Sequence, residues 1–247
     1  MNKIFSFTGR PILKSVLLST LFLFVISIGG AVSMMTGIDS RITLLIAYVF
    51  MAGGLILFIN RNNAWNDVGF KSVKNIVNST SYRYIPLFIM AILPLVAGLS
   101  TDLNWIDFGF VIIFMALVAF VEETIFRGIV IKLLKAKGNL VAILGSSLLF
   151  SFLHAINALN GKDVGQTIFQ IAFALLIGVI LAILMIQTHN LTPLIMYHFL
   201  NNTVSSISRS DIDIIFSTII SLVVFIIGII YLLWLIYSKQ YIKESVS

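Results

Sequence analysis

Long apolar runs separated by short polar connections dominate this sequence, and they determine the kind of fold it can adopt. Hydrophobic residues make up 59% of the 247 residues, charged residues make up only 11%, and the mean hydropathy is +1.06. An ordinary soluble domain is about one quarter charged. In a lipid bilayer the backbone must satisfy its own hydrogen bonds, and a helix does so within a single segment. We therefore predict an all-α, multi-pass membrane protein.

The lengths of the apolar runs predict about eight transmembrane helices in a single membrane domain, residues 1–247. A bilayer core about 30 Å thick requires about 20 residues of helix, and polar turn residues separate most of the runs. Pro86 and Pro94 should kink the third span, because proline removes a helical hydrogen bond. The predicted spans are 13–35, 42–60, 83–100, 107–131, 139–157, 165–187, 191–207 and 212–237.

Lysine and arginine are distributed unevenly over alternate connections, and this asymmetry predicts the orientation of the protein. Cytoplasmic loops carry an excess of basic residues, so both termini should be cytoplasmic and the number of spans even. Basic residues spread over loops do not form the clustered patch that binds nucleic acid. We expect the lipid bilayer, and no nucleic acid, as a partner. One side carries Arg41, Lys162 and Arg209, and the other carries Lys3, Arg10, Lys14, Arg61, Lys71, Lys74, Arg83, Arg127, Lys132, Lys135, Lys137, Lys239 and Lys243.

Two adjacent glutamates, Glu122 and Glu123, interrupt the apolar segment 111–127. A carboxylate at membrane depth is costly and marks a functional-site hypothesis. Glu123 lies four residues before Arg127, which is the favoured spacing for a helical ion pair, and such a pair can hold helices together without doing chemistry. Glu122 lies about 100° around the helix and has no charged partner in its own segment. It is our candidate for the general base that activates water.

Histidine is scarce, and two of the three histidines fall inside predicted spans. His154 follows Phe150 by four residues in the fifth span. His198 lies one helical turn from Asn202 in the seventh, so these two side chains share a helical face. Taken alone, each histidine is more often a hydrogen-bonded interior residue, and Asn202 is more often an interhelical contact. The chain has no cysteine, so a thiolate nucleophile and Cys-ligated metals are excluded.

Three short motifs occur in order on three predicted spans. Glu122-Glu-Thr-Ile-Phe-Arg127 fits EExxxR, Phe150-Ser-Phe-Leu-His154 fits FxxxH, and His198-Phe-Leu-Asn-Asn202 fits HxxxN. Together they resemble the CAAX-protease and bacteriocin-processing family, also called CPBP or Abi, to which type II CAAX prenyl endopeptidases belong. EExxxR alone recurs by chance, whereas the three motifs in order are specific. The resemblance covers a core of residues 107–206, in which every signature position is filled.

This resemblance implies an intramembrane endopeptidase and a role for each motif residue. Glu122 is carried over as the residue that activates the hydrolytic water, and His154 as the residue that helps to hold or polarise that water. His198 and Asn202 match the positions that stabilise the tetrahedral oxyanion, where preset donors are most valuable. The remaining motif positions are supporting ones and are filled by Glu123 and Arg127.

The resemblance leaves open whether a metal takes part. Glu122, His154 and His198 could supply three zinc ligands with an open position for water, and the family carries a metalloprotease label. The helical HExxH signature of zinc proteases is absent from the sequence. A metal-free Glu and His site explains the same residues and also gives Asn202 a role. We therefore favour no cofactor over zinc.

The leading prediction is hydrolysis of a peptide bond in a peptide or a membrane-associated protein. The alternatives are a non-catalytic bacteriocin self-immunity or membrane regulatory protein, and a proton-coupled transporter, although the inverted halves of a transporter are not evident. A prenylated CAAX tail is the namesake substrate of the family. A small, isoleucine-rich chain is typical of a bacterial cell membrane, so we expect a leader, pheromone or bacteriocin peptide instead.

Peptide hydrolysis requires water, and charged groups at membrane depth must line a cavity rather than face lipid. The three motif helices should therefore surround a hydrated chamber. From the predicted orientation, we expect this chamber to open toward the cytoplasm or the inner leaflet.

Overall fold

The computed structural model describes residues 9–71, 81–159, 163–209 and 211–238, and these residues are mostly helical. Helices α1 and α2 form a hairpin, and the polar motifs lie on α5, α7 and α10. The helices are α1 (Pro11–Thr36), α2 (Ser40–Arg61), α3 (Trp65–Val68), α4 (Ile85–Ile92), α5 (Trp105–Glu123), α6 (Ile131–Leu134), α7 (Asn139–Leu153), α8 (Ile156–Leu159), α9 (Val164–Thr188), α10 (Thr192–Ile207) and α11 (Ile214–Tyr237).

Six helical segments in the described part of the chain are long and apolar enough to cross a membrane. The other two predicted spans are shorter. Residues 83–100 form α4 and a 3-10 turn that contains Pro94, and α10 has 16 residues, which at about 1.5 Å per residue is less than a full bilayer core. The all-α membrane fold is confirmed, whereas the count of eight spans is not. The six segments are Pro11–Thr36, Ser40–Arg61, Trp105–Lys137, Asn139–Ala158, Val164–Thr188 and Ile214–Tyr237.

The helices run between two opposite faces of the molecule. At one face, the N–H of Ser100 donates to the carbonyl of Ile207 (2.8 Å) and the N–H of Arg209 donates to the carbonyl of Gly98 (3.0 Å). Arg41, at the start of α2, contacts Asp107, at the start of α5, at the same face (3.1 Å). We call this the acidic face, and its described residues are 36–41, 98–107, 154–159, 163, 206–209 and 211–213.

The opposite face joins the other ends of the helices. There the N–H of Leu191 donates to the carbonyl of Gly69 (2.8 Å), and Lys132 forms an ion pair with Asp67 (2.8 Å). We call it the basic face, and it consists of residues 61–71, 81–84, 132–138 and 188–191. Because α1 begins there and α11 ends there, the two described chain ends, near residues 10 and 238, lie at the same face.

Helix α9 is the central element of the bundle. More of its apolar length is buried than in any other candidate span among the described residues, and it packs against α7 on one side and α11 on the other. Because lipid tails are as apolar as the helix surfaces, the hydrophobic effect does not drive helices together within the bilayer. Close packing of side chains therefore holds such a bundle together. The motif-bearing α5 and α10 pack directly on each other, which brings the EExxxR and HxxxN segments together.

Helix α5 widens into a π-helical turn, Thr124–Val130, directly after the two glutamates. All seven residues of this turn are buried, and π-helical turns, which are rare, are frequently found at functional sites. The turn packs against α3. A Cβ atom on Gly128 would overlap the Val68 side chain, so glycine is required for α3 to approach this closely.

We predict that Gly128→Ala destabilises the protein by about 1–3 kcal/mol, the usual cost of overpacking a closed interior. The measurement is the midpoint of unfolding of the detergent-solubilised protein. The double variant Gly128→Ala/Val68→Ala should recover part of the loss. Gly109→Ala is the matched control, since a Cβ there has no atom within 4 Å. Equal stability of the Gly128 and Gly109 variants would contradict this packing argument.

Candidate active site

Glu123 and Arg127 form the ion pair that their spacing predicts. Arg127 Nη1 donates to Glu123 Oε1 at 3.1 Å, and both side chains are fully buried. The guanidinium of Arg127 also lies 4.1 Å from the ring centroid of Phe150 on α7, a cation–π contact that is stronger away from water. The pair therefore connects the π-helical turn to α7.

His198 joins this ion pair from α10. Its Nδ1 lies 2.8 Å from Glu123 Oε1, so a proton on Nδ1 can be donated to the carboxylate. A hydrogen bond at one ring nitrogen sets which tautomer is present. Because Nδ1 is bonded to Glu123, Nε2 is the ring nitrogen that remains for other contacts. Nε2 lies 3.7 Å from Glu122 Oε2. The two glutamates therefore contact opposite nitrogens of one imidazole.

Glu122 has a partner that sequence analysis missed. The hydroxyl of Tyr48, on α2, donates to Glu122 Oε1 at 2.6 Å, and both residues are buried. The two residues lie 74 positions apart, so no motif spacing connects them. A tyrosine within an apolar span was the one available signal, because a buried phenol usually finds a hydrogen-bond partner.

His154 lies in the turn that follows α7, within the segment Asn139–Ala158 that agrees with the predicted span 139–157. Helix α7 ends at Leu153 and His154 begins a turn. Its Nδ1 lies 3.4 Å from Nε2 of Gln170 on α9, and Gln170 Oε1 accepts from Asn157 Nδ2 at 2.9 Å. The bond from Asn157 orients the Gln170 amide with its N–H groups toward His154. Gln170 is a second neighbour that the motifs did not indicate.

The motif residues line one cavity of about 600 Å³. Glu122, Glu123, His154, His198 and Asn202 all contribute to its wall, whereas Arg127 lies behind it. The ring of Phe150 stands between the two histidines, 5.4 Å from the His154 ring and 6.0 Å from the His198 ring, with edge-to-face geometry in both cases. The three motifs thus converge on a single chamber, as the sequence predicts.

The lining of this cavity extends toward the acidic face. It includes Ile156, Asn157 and Ser206 at that face. None of the lining residues belongs to the described connections of the basic face, residues 61–71, 81–84, 132–138 and 188–191. Helix α10 presents His198 early and Asn202 and Ser206 later along its length, so its polar side chains extend toward the acidic face. The sequence predicts an opening toward the cytoplasm or the inner leaflet, on the side of the basic loops.

Several buried polar atoms around the cavity have no hydrogen-bond partner among the described residues. They include Glu123 Oε2, Tyr197 Oη, and Nε and Nη2 of Arg127. Tyr197 is adjacent to His198 and lines the cavity. Buried polar atoms are normally satisfied, so the Tyr197 hydroxyl is available to a molecule that enters the chamber.

A zinc site requires several protein ligands grouped around one point. Among the described residues, no group of three or more His, Asp or Glu side chains could hold a metal ion. The possible zinc set of Glu122, His154 and His198 does not form such a group, although the three residues share the cavity wall. His198 Nδ1 is already committed to Glu123, and His154 Nδ1 faces Gln170.

The buried ion pair makes a testable contribution to stability. Arg127→Met leaves the Glu123 carboxylate buried without its cation, and breaking a buried pair in this way costs about 3–5 kcal/mol. The double variant Arg127→Met/Glu123→Gln removes both charges and should be more stable than Arg127→Met alone. Denaturant titration in detergent measures this difference. Arg41→Met, which removes an exposed ion pair, should have little effect, and an equally small effect of Arg127→Met would contradict the role of the pair.

One comparison with known proteins identifies the segment that carries this site. No curated protein and no solved structure gives a significant match to the chain. Residues 104–204 match a family model described as type II CAAX prenyl endopeptidase Rce1-like. The matched segment contains all three motifs and nearly coincides with the predicted core, residues 107–206. The resemblance is therefore confirmed: over residues 104–204, this chain carries the sequence pattern of the Rce1-like type II CAAX prenyl endopeptidase family.

Proposed function

We propose that this protein is an intramembrane endopeptidase in which Glu122 activates a water molecule for attack on a peptide carbonyl. The observation that carries this proposal is the 3.7 Å separation of Glu122 Oε2 from His198 Nε2 within the cavity. This separation is too long for a direct hydrogen bond, and a polar contact of this length suits a bridging water. A water held there would touch both groups at once.

The hydrogen bonds around the site set the direction of proton transfer. With Nδ1 of His198 protonated and donating to Glu123, the neutral imidazole presents a lone pair on Nε2. The Tyr48 hydroxyl occupies Glu122 Oε1, which leaves Oε2 to accept a proton. A water between Oε2 and Nε2 can then donate one hydrogen to each and direct an oxygen lone pair at the substrate.

The proposed reaction follows from that arrangement. Glu122 takes a proton from water as the oxygen forms a bond to the carbonyl carbon, giving a tetrahedral oxyanion. The protonated Glu122 then gives the proton to the amide nitrogen, and the C–N bond breaks to release an amine and a carboxylic acid. One carboxyl group thus acts first as general base and then as general acid.

Two motif residues remain available to stabilise the oxyanion. With Gln170 donating to Nδ1 across the 3.4 Å contact, a neutral His154 ring carries its proton on Nε2 and can donate it to the oxyanion. The Asn202 side chain also lines the cavity and carries an amide donor. This assignment exchanges the roles that the family resemblance gives to His154 and His198, because the short distances connect His198, rather than His154, to the two glutamates.

Glu123 and Arg127 are positioning residues in this scheme. Glu123 fixes the His198 ring through Nδ1, and Arg127 compensates the buried charge of Glu123. The apolar stretches of the cavity wall suit a peptide segment or the tail of a membrane-associated protein. The substrate is therefore proposed to be a peptide bond that reaches the chamber within or at the surface of the bilayer, with the protein functioning as a multi-pass protein of the cell membrane.

Glu122→Gln tests the water-activation role. We expect peptide cleavage to fall by about 100-fold to 10,000-fold, the range attributed to general acid–base catalysis. The assay is cleavage of a fluorogenic peptide library by the purified protein in lipid nanodiscs, with the unfolding midpoint measured in parallel. Asp67→Asn makes the same carboxylate-to-amide change at the basic face, away from the cavity wall, and should leave the rate unchanged.

Two outcomes of that experiment would count against the proposal. Full cleavage by a folded Glu122→Gln variant would remove Glu122 from the reaction. Loss of cleavage together with a retained cellular phenotype would favour a non-catalytic immunity or regulatory role for the protein.

The proposal includes metal-free chemistry, supported by the separate hydrogen-bonding partners of the two histidines. Incubation with a strong zinc chelator followed by desalting should leave the cleavage rate unchanged. Loss of activity that zinc restores, with a zinc content near one ion per chain by elemental analysis, would show that a metal is required.

A further inference from the structure

The two faces of the molecule carry opposite charge. The acidic face has two described arginines, Arg41 and Arg209, and each forms an ion pair with a neighbouring aspartate. The basic face has a single described aspartate, Asp67. The described aspartates of the acidic face are Asp39, Asp102, Asp107, Asp163, Asp211 and Asp213, and the described cations of the basic face and the adjoining chain ends are Arg10, Lys14, Arg61, Lys71, Arg83, Lys132, Lys135 and Lys137.

Two aspartates of the acidic face are stabilised in their charged form by neighbouring arginines. A hydrogen bond from Arg41 lowers the pKa of Asp39, and a hydrogen bond from Arg209 lowers the pKa of Asp211. Cytoplasmic connections are the ones enriched in lysine and arginine. The charge distribution therefore places the basic face toward the cytoplasm and the acidic face away from it.

The cavity reaches the acidic face. Glu122 lies 17 residues from the first residue of α5 at that face, and the wall continues outward through Asn202 to Ser206, which is exposed. A second cavity of about 240 Å³ reaches Arg209 at the same face and shares Asn201 and Ser205 with the first. Within the described chain, the lining of the cavity therefore extends from the glutamates toward the acidic face.

We propose that the substrate enters from the acidic face, so that it is a peptide segment exposed on the non-cytoplasmic side of the membrane, apolar at the cleaved bond and basic beside it. This inference rests on the proposed peptidase function and adds the side of access and the chemistry of the substrate. A cytoplasmic protein tail would have to enter through the basic face, where the described connections contribute nothing to the cavity wall.

The cavity wall and the acidic face match the two proposed features of the substrate, its apolar cleaved segment and its basic flank. The cavity wall is formed largely by aliphatic and aromatic side chains, including Phe22, Phe114 and Ile177, which suit an apolar segment. The unpartnered Tyr197 hydroxyl at its wall can bond to the backbone of that segment. The aspartates of the acidic face attract cationic flanking residues of a substrate that approaches from that side, and this attraction acts over about 8 Å at physiological ionic strength.

Cysteine labelling tests the side of access without relying on cleavage. Because the chain contains no cysteine, single cysteines can be introduced at Ser206, on the cavity rim, and at Ala136, an exposed residue of the basic face. A membrane-impermeant maleimide should label Ser206→Cys in intact spheroplasts and Ala136→Cys only in inverted membrane vesicles. Labelling in detergent provides the reference for complete reaction.

The reverse labelling pattern would overturn the proposed side of access, as would failure of Ser206→Cys to react from either side when it reacts in detergent. The outcome is independent of the peptidase activity, which Glu122→Gln tests. A folded protein that labels as expected and cleaves no peptide would disprove the proposed function and leave the opening at the acidic face established.

Two peptides that share the same apolar core, one with basic flanking residues and one with acidic flanking residues, test the chemistry of the substrate. At low salt, kcat/KM should be about tenfold higher for the basic peptide, the lower range of electrostatic steering, and the difference should shrink as salt is added. Equal rates for the two peptides, or faster cleavage of the acidic one, would overturn the assignment of a basic flank.

Discussion

The buried carboxylate of Glu123 is the group on which the rest of the site depends. A charge at membrane depth must be paired and hydrogen-bonded to be tolerated, and Glu123 obtains this from Arg127 in its own π-helical turn and from His198 on α10. Arg127 in turn contacts Phe150 on α7. One carboxylate thus links the three helices that carry the motifs, and the same contact that stabilises the charge orients the imidazole toward Glu122.

The two glutamates have different surroundings, and this difference separates their functions. Glu123 faces a cation and a ring nitrogen and is fully enclosed, whereas Glu122 faces Tyr48 and the cavity. One carboxylate oxygen of Glu122 accepts a hydrogen bond from Tyr48, and the other faces the polar chamber. A carboxylate in this arrangement is suited to take up and release a proton. The proposed chemistry therefore uses the glutamate without a cation of its own, and the ion pair supplies rigidity.

Local sequence patterns predicted the elements of this structure better than their arrangement. The apolar runs predicted a helical membrane protein, and the four-residue spacing predicted the contact of Glu123 with Arg127. The spacing of His198 and Asn202 placed both residues on the wall of one cavity. Tyr48 and Gln170 were missed because their contacts join residues from different helices. The spacing of residues within one helix does not predict such a contact. The extension of the cavity toward the acidic face was also not predicted, since it depends on how α10 is packed in the bundle.

The central claim is that Glu122 and His198 act on the same water, and a double-mutant cycle tests it most directly. Residues that act as a unit show strongly non-additive losses. Cleavage rates should therefore be compared for Glu122→Gln, His198→Gln and the double variant, each shown to be folded. The account predicts that the double variant is about as slow as the slower single variant. If the two losses instead multiply, the residues act independently, and the shared water at the centre of this account would be contradicted.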